Sequence, residues 1–303
     1  MLKLTTFIKT CLLTTVLTLL LLTGCDTEDE PIPAYLTTDP SERKAPTPAV
    51  HGSVSEKITN ASIFLLNDDL KESRSLGNVA LPATIPVLAE GEWKLNIDPI
   101  IKANGNSFYL QIYPFYERFT TTASFQPNED IVVKPVTTYR ENIVFEFVED
   151  FESPGHLFET DRDDNPNTFI ENSQEDVFEG QYSGKIVLDT ANYVIVATTK
   201  TLFQLTPAQD GRYFMEVNYK TQVPLEFGVI AIDDQGAEEP NFEFVVLAKN
   251  EWNKIYFDMT DLITTARVNR FTFVLRAGIP YENNRFTLNE AKIFLDNIKL
   301  IHF

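Results

Sequence analysis

Cysteine is nearly absent: 303 residues contain two, Cys11 and Cys25, both close to the N-terminus. No pair remains downstream to cross-link the chain, so its stability has to come from packed cores. Histidine is equally scarce. His51, His156 and His302 lie far apart, and no Cys/His cluster has zinc-ligand spacing. Tryptophan is limited to Trp93 and Trp252, a thin supply for the flat platforms on which sugars usually stack. Bases are outnumbered, 25 Lys and Arg against 44 Asp and Glu, for a net charge of −19. That balance disfavours nucleic acid and anionic lipid, which are polyanions, and favours cations, neutral glycans or a basic protein surface. There is no Gly-x-Ser-x-Gly nucleophile turn and no phosphate-cradling Gly-rich loop. Paired carboxylates for glycoside hydrolysis are defined by a separation in space, so 44 acids identify none. The expectation is a non-catalytic protein.

What is present begins at the N-terminus. Lys3 and Lys9 precede an apolar stretch, Cys11 to Leu22, too short for a membrane-spanning helix, which needs roughly 20 residues. The order of charge and then apolar run is that of a secretory signal. Its end, Leu22-Thr23-Gly24-Cys25, resembles the lipobox of bacterial lipoproteins. The resemblance implies cleavage before Cys25 and acylation of that residue, hence a lipid anchor in the outer membrane. Asp26, Glu28, Asp29 and Glu30 follow at once, and Pro31, Pro33, Pro40, Pro46 and Pro48 keep the next stretch from folding. By composition this is a solvated tether. The acidic run also resembles the export signal that sends Bacteroidota lipoproteins to the outer face of that membrane, which implies a protein facing the cell exterior. Residues 1–24 therefore read as signal peptide and 25–48 as tether.

The rest reads as all-β, in two β-sandwich domains. Residues 49–140 hold short β-branched and aromatic runs between turns, such as Ala61 to Leu66 before Asn67-Asp68-Asp69, and the alternating Trp93 to Ile97; these suggest a small immunoglobulin-like sandwich. Two prolines in Leu81-Pro-Ala-Thr-Ile-Pro-Val-Leu-Ala-Glu-Gly91 argue against regular pairing there. This segment resembles PEGA-like repeats. Together with Ile32 to Leu36, Tyr113 to Tyr116 and Pro135 to Tyr139 it is also similar to a group of uncharacterised Bacteroidota surface lipoproteins. Residues 141–303 contain further strand-length runs, with only Asp258 to Arg267 able to hold a helical turn. The pieces Glu149-Asp-Phe-Glu152, Gly180-Gln-Tyr-Ser-Gly184 and Leu295-Asp-Asn-Ile298 resemble the jelly roll of carbohydrate-binding modules.

That likeness implies neighbouring first and last strands, with Asp150 or Glu152 near Asp296 as oxygen ligands for a structural calcium ion. The string Asp161-Arg-Asp-Asp-Asn-Pro-Asn167 lacks the glycine and glutamate of an EF-hand loop and reads as solvated. In Phe108 to Phe119, six of twelve residues are aromatic. Tyr109, Tyr113 and Phe115 share one face of the implied strand, which makes them buried by the second domain, a partner-binding surface, or a platform on which sugar rings stack. Two functions remain open: an accessory subunit of an outer-membrane protein complex for export, assembly or uptake, and alternatively a glycan-binding lipoprotein that captures polysaccharide through its jelly roll.

Overall fold

The computed structural model describes residues 30–44, 54–206 and 211–303. Cys25, Asp26, Glu28 and Asp29 lie outside the described residues, and Glu30 is exposed. The chain is nearly all β-strand. Its single helix among the described residues, Thr260–Thr264, falls where a helical turn is expected, and no described helix is long and apolar enough to cross a membrane.

The first sandwich pairs a five-stranded antiparallel sheet with a three-stranded one. In the larger sheet Asn60–Asn67 and Gly91–Lys102 are central, flanked by Glu72–Ala80, Phe119–Phe125 and Leu110–Ile112. The smaller sheet corrects two expectations. Residues 25–48 are not all tether: Ala34–Thr38 is its middle strand, antiparallel to Ala83–Val87 and parallel to Asp130–Val133. Alternation decides this. Ala34, Leu36 and Thr38 are all but inaccessible to solvent, while Tyr35 faces out, so the apolar face of a short strand outweighs the flanking prolines. Glu42–Arg43 continues the path by pairing with Val136–Thr137. The segment with two prolines also pairs, because Ala83–Val87 is an edge strand, where a residue lacking an N–H is tolerated. Trp93, Leu95, Ile63, Leu65 and Phe125 fill the core between these sheets.

The second sandwich has two antiparallel six-stranded sheets of jelly-roll type. One contains Glu171–Ser173, Ser183–Asp189, Glu290–His302, Tyr213–Thr221 and Lys249–Asp258 in that order, with Val144–Glu149 also on Glu290–His302. The first and last strands are thus neighbours, as expected. The other sheet runs Thr160–Asp161, Val194–Thr198, Arg270–Gly278, Leu225–Ile232 and Glu238–Val246, with Phe203–Gln204 beside Arg270–Gly278. Between them lies the largest core, rich in phenylalanine: Phe147, Phe151, Phe227, Phe257, Phe271 and Phe273. Each such ring, fully buried, contributes about 1.5–3 kcal/mol relative to exposure.

A third cluster joins the two sandwiches. Tyr113, Phe115 and Tyr116 from the first pack against Phe214, Tyr256 and Ile301 from the second. Tyr113 and Phe115 are therefore buried at a junction within the chain and are not a surface for another molecule. The strand expected over Ser107 to Phe119 is broken: after Leu110–Ile112 the backbone turns, with Tyr116 N–H donating to Tyr113 O at 3.3 Å, and this turn carries both rings inward.

The junction is polar at its centre. Glu216 is fully buried, and its Oε1 accepts from the hydroxyls of Tyr113 (2.7 Å) and Tyr139 (2.8 Å). Lys254 pairs with its Oε2 at 2.6 Å. Desolvation works against the charge on Glu216, but Lys254, then Lys299 and Arg43, outweigh it and hold the carboxyl at about 2. Backbone pairing adds to the seam, since Asn104 N–H donates to Tyr256 O at 2.8 Å and Asn104 Oδ1 accepts from Asp258 N–H at 2.8 Å.

Candidate functional site

At one end of the second sandwich the chain leaves Arg270–Gly278 and enters Glu290–His302 through a small hairpin, Tyr281–Glu282 paired with Arg285–Phe286. Its turn residues, Asn283 and Asn284, have φ of 50° and 63°. Two consecutive left-handed residues make a turn whose twist matches the strands, and asparagine tolerates that conformation better than most side chains. Thr287 N–H donates to Pro280 O at 2.9 Å and closes the base of the hairpin. Ile279 N–H donates to Tyr193 O, also at 2.9 Å, and ties it to the loop of residues 189–193. Asp189 fixes that loop. Its Oδ1 accepts the backbone N–H of Asn192 and of Ala191, both at 2.7 Å, and these donors hold its carboxyl below the usual range.

Three aromatic rings meet here. Phe286 packs against the main core, with the ring of Tyr281 at 5.0 Å and 72° and that of Tyr193 at 5.1 Å and 42°. Phe286 is the base that the two tyrosines lean on, yet Tyr281 stays 58% exposed and Tyr193 49% exposed. The Tyr281 hydroxyl reaches Asn284 Oδ1 at 3.3 Å. Tyr281 and Phe286 line an open depression of about 870 Å³ with Glu282, Asn283, Arg285 and Asn289, and Tyr193 stands beside Phe286 outside that lining. Two supported aromatic faces offer stacking surface for the C–H side of a pyranose ring. The amides, guanidinium and carboxylate around them offer the mixed donors and acceptors that sugar hydroxyls require.

The three acids expected to hold calcium are placed otherwise. Among the described residues no group of three or more His, Cys, Asp or Glu could hold a metal ion. Glu152 Oε1 accepts from the backbone N–H of Gln181 (2.7 Å) and Tyr182 (2.9 Å), and Asp150 Oδ1 accepts from Glu152 N–H at 3.2 Å. Asp296 is fully buried and accepts from Glu179 N–H at 3.2 Å; burial drives its carboxyl up to about 7 against the pull of those amides. Glu152 and Asp296 fasten the loop of residues 178–182 directly, while Asp150 closes its own turn on Glu152 N–H. The residues that carry the jelly-roll likeness meet at this clamp. The ring of Phe151 lies where a Cβ on Gly184 would sit 2.5 Å from it, so the approach of the two segments requires glycine.

Asp163, in the loop read as solvated, accepts from Asn165 N–H at 3.0 Å and Val196 N–H at 2.6 Å, which anchors the loop to the neighbouring strand. Tyr109 differs from its two expected companions. It is 64% exposed, beside Phe108 at 93%, Leu110 and Ile112, and these four form an apolar strip on the first sandwich.

None of Tyr193, Tyr281 and Phe286 stands out in the sequence on composition alone. The signal that could have found Tyr281 and Phe286 is Tyr281-Glu-Asn-Asn-Arg-Phe286, two aromatic residues bracketing an Asn-Asn turn; Tyr193 has no such signal.

No family model matches the sequence, and no curated protein matches it. Among solved structures the chain is similar to the CBM22-1 xylan-binding domain from Paenibacillus barcinonensis Xyn10C, with 13% identity, 52% of this chain and 93% of that one covered, and a TM-score of 0.36. It is also similar to the family 11 carbohydrate-binding module of the cellulosomal cellulase Lic26A-Cel5E of Clostridium thermocellum, with 12% identity, 50% and 91% covered, and a TM-score of 0.36.

Proposed function

We propose that this protein is a non-catalytic saccharide-binding lipoprotein, anchored through Cys25 at the outer surface of the outer membrane, that holds polysaccharide at the end of its second sandwich. The observation that carries the reading is the pair of exposed tyrosines, Tyr193 and Tyr281, braced on Phe286, with Tyr281 lining a depression alongside Glu282, Asn283, Asn284 and Arg285. Isolated exposed aromatics are common on surfaces. Here they are held at fixed angles by a core ring and a tight turn, so a ligand meets a pre-shaped surface and little ordering cost opposes binding. The lipid anchor rests on the Leu22-to-Cys25 sequence and the sidedness on the four acids after it.

The test is affinity electrophoresis of the purified protein through gels containing neutral plant and microbial polysaccharides. Retardation by at least one polysaccharide, lost in Tyr281→Ala and Tyr193→Ala, supports the reading. Unretarded migration in every gel, or retardation indifferent to both substitutions, overturns it.

A second reading, the accessory subunit of an outer-membrane protein complex, is favoured by one observation: the exposed strip of Phe108, Tyr109, Leu110 and Ile112, apolar side chains of the kind that protein contacts cover. Recovery of a fixed set of outer-membrane proteins with the anchored protein, lost in Phe108→Ser, would favour this reading over the first.

A further inference from the structure

A second depression, of about 370 Å³, lies along the seam between the two sandwiches and shares no residue with the Tyr281 surface. Four lysines line it: Lys57 and Lys102 from the first sandwich, Lys249 and Lys254 from the second. No carboxylate lines it, although acids outnumber bases 44 to 25 in the whole chain. Lys254 already has its counter-charge in Glu216. Lys57, Lys102 and Lys249 form no ion pair among the described residues, and the Lys57 ammonium instead donates to Asn253 Oδ1. Burial, and after it the charges of Lys249 and Lys102, push the Lys57 ammonium below its ordinary range. Three cations therefore crowd one cleft without an ion-pair partner among the described residues. The nearest acid in sequence, Glu56, turns its carboxylate to the backbone N–H of Ile58 at 2.5 Å.

The cleft is also built, and not a chance gap between lysines. Asn104 and Gly105, both left-handed with φ of 54° and 69°, form a turn in which Asn106 N–H donates to Ala103 O at 3.0 Å. This turn sits against Lys249–Asp258 so closely that a Cβ on Gly105 would lie 3.0 Å from Ile255 Cδ1. Asn253 is fixed by donating to the Tyr219 hydroxyl at 2.7 Å, and Tyr256 by accepting from Lys57 N–H at 2.9 Å. The neutral polar lining is hydroxyl and amide, from Thr59, Ser107, Tyr219, Asn104 and Asn253, beside apolar Val245, Val246, Leu247 and Ile255.

We infer that the seam is a binding site for an anionic saccharide, whose carboxylate or sulfate is held by Lys57, Lys102 and Lys249 while its hydroxyls meet the surrounding amides and hydroxyls. Net charge alone argues for neutral glycans; the seam is a local exception, and negative charge elsewhere on the chain confines an acidic ligand to it. A bound anion would relieve the mutual repulsion of three ammonium groups, an attraction that salt weakens because the cleft is open to solvent.

The experiment is calorimetric titration of the full-length protein with tri-galacturonate, with a sulfated galactose disaccharide, and with neutral xylotriose. The expected result is binding of one or both anions and not of xylotriose at this site. The arm that binds identifies carboxylate or sulfate as the charge recognised. Affinity should fall by about tenfold or more between low salt and about 0.5 M sodium chloride. Lys57→Gln, Lys102→Gln and Lys249→Gln should each weaken it by about tenfold, whereas Tyr281→Ala should leave it unchanged. All three lysines are on the surface, so the variants are expected to fold, and unchanged thermal melts verify it. Binding of neither anion, binding insensitive to the lysine substitutions, or loss of anion binding in Tyr281→Ala each overturns the inference. Because the two sites share no residue, failure here leaves the Tyr281 reading intact, and the reverse.

Discussion

The hydroxyl of Tyr113 donates to Glu216 Oε1 at 2.7 Å across the boundary between the two sandwiches, and both side chains are completely buried. A charged carboxylate in that position is tolerable because two tyrosine hydroxyls and Lys254 meet it together, with the charges of Lys299 and Arg43 behind them. The two sandwiches are thereby chemically incomplete without each other.

The first prediction follows from that network. Tyr113→Phe should destabilise the protein by about 1–3 kcal/mol, the cost of leaving a buried acceptor short of a donor. Glu216→Ala strands buried Lys254 beside Lys299 and should cost about 3–5 kcal/mol. Denaturant titration followed by tryptophan fluorescence can separate the sandwiches, since Trp93 reports on the first and Trp252 on the second. The wild type should show one coincident transition and Glu216→Ala two. A Glu216→Ala protein as stable as the parent would mean the seam contributes no stability.

The second prediction concerns pH. Asp296 has its carboxyl raised from 3.8 to about 7 by burial. Below about pH 4 it is protonated whether folded or unfolded and costs nothing. As pH rises from 4 towards 7 the unfolded chain loses this proton and the folded chain keeps it, so stability falls across that window, by at most about 4 kcal/mol. Asp296→Asn should flatten the profile between about pH 4 and 7 relative to the parent and be the more stable protein at pH 8. Glu216, depressed to about 2, acts the other way, with stability lost only as pH falls below about 4.5, so the two effects occupy different windows. Parallel profiles for parent and variant would show that Asp296 ionises in the folded protein as it does in water.

Third, Tyr281→Ala should weaken polysaccharide binding about tenfold or more, the scale of losing a tyrosine at the centre of a contact, with a melting temperature within about 2 °C of the parent, because its ring is largely exposed. Asn283→Val should weaken it too, by a different route: a β-branched residue resists the left-handed conformation found there, so the hairpin shifts and Tyr281 moves with it. A tyrosine loss without effect, measured by titration with the best-retained polysaccharide, removes the site.

Fourth, Cys25→Ser should leave an uncut precursor that no longer incorporates a fatty-acid probe. Alanine at Asp26, Glu28, Asp29 and Glu30 should keep the lipid but abolish cleavage by protease added outside intact cells. Normal lipid labelling in the serine variant would end the anchor assignment, and unchanged cleavage in the alanine variant would reduce the acids to a spacer.

Most strands were legible because their signal is local. Lys254 to Phe257 and Arg270 to Leu275 show the β-branched and aromatic enrichment of strands, and Trp93 to Ile97 alternates cleanly. Beyond Ile97 the alternation fails, since Ile97 to Ile101 are all buried: Ile97 packs in the core of its own sandwich and Ile101 in the cluster shared with the second. Ala34–Thr38 was hidden by prolines that in fact only bound it; Pro33 O accepts Asn128 N–H at 3.0 Å. The burial of Tyr113 and Phe115 depends on Phe214 and Tyr256, about a hundred positions away or more, and no window of sequence contains both partners. The same distance hides the partners of Glu152 and Asp296: the amides of Glu179, Gln181 and Tyr182 that meet these two carboxylates arrive from a third segment.

The strand Glu290–His302 lies inside its sheet, with Val144–Glu149 and Ser183–Asp189 along one edge and Tyr213–Thr221 along the other. Until residue 302 exists, those three strands have no common neighbour, and Val144, which pairs with His302, waits for everything between. Closing contacts of such long sequence separation makes folding slow. If the chain is exported as proposed, that delay would keep the second sandwich from closing before translocation ends.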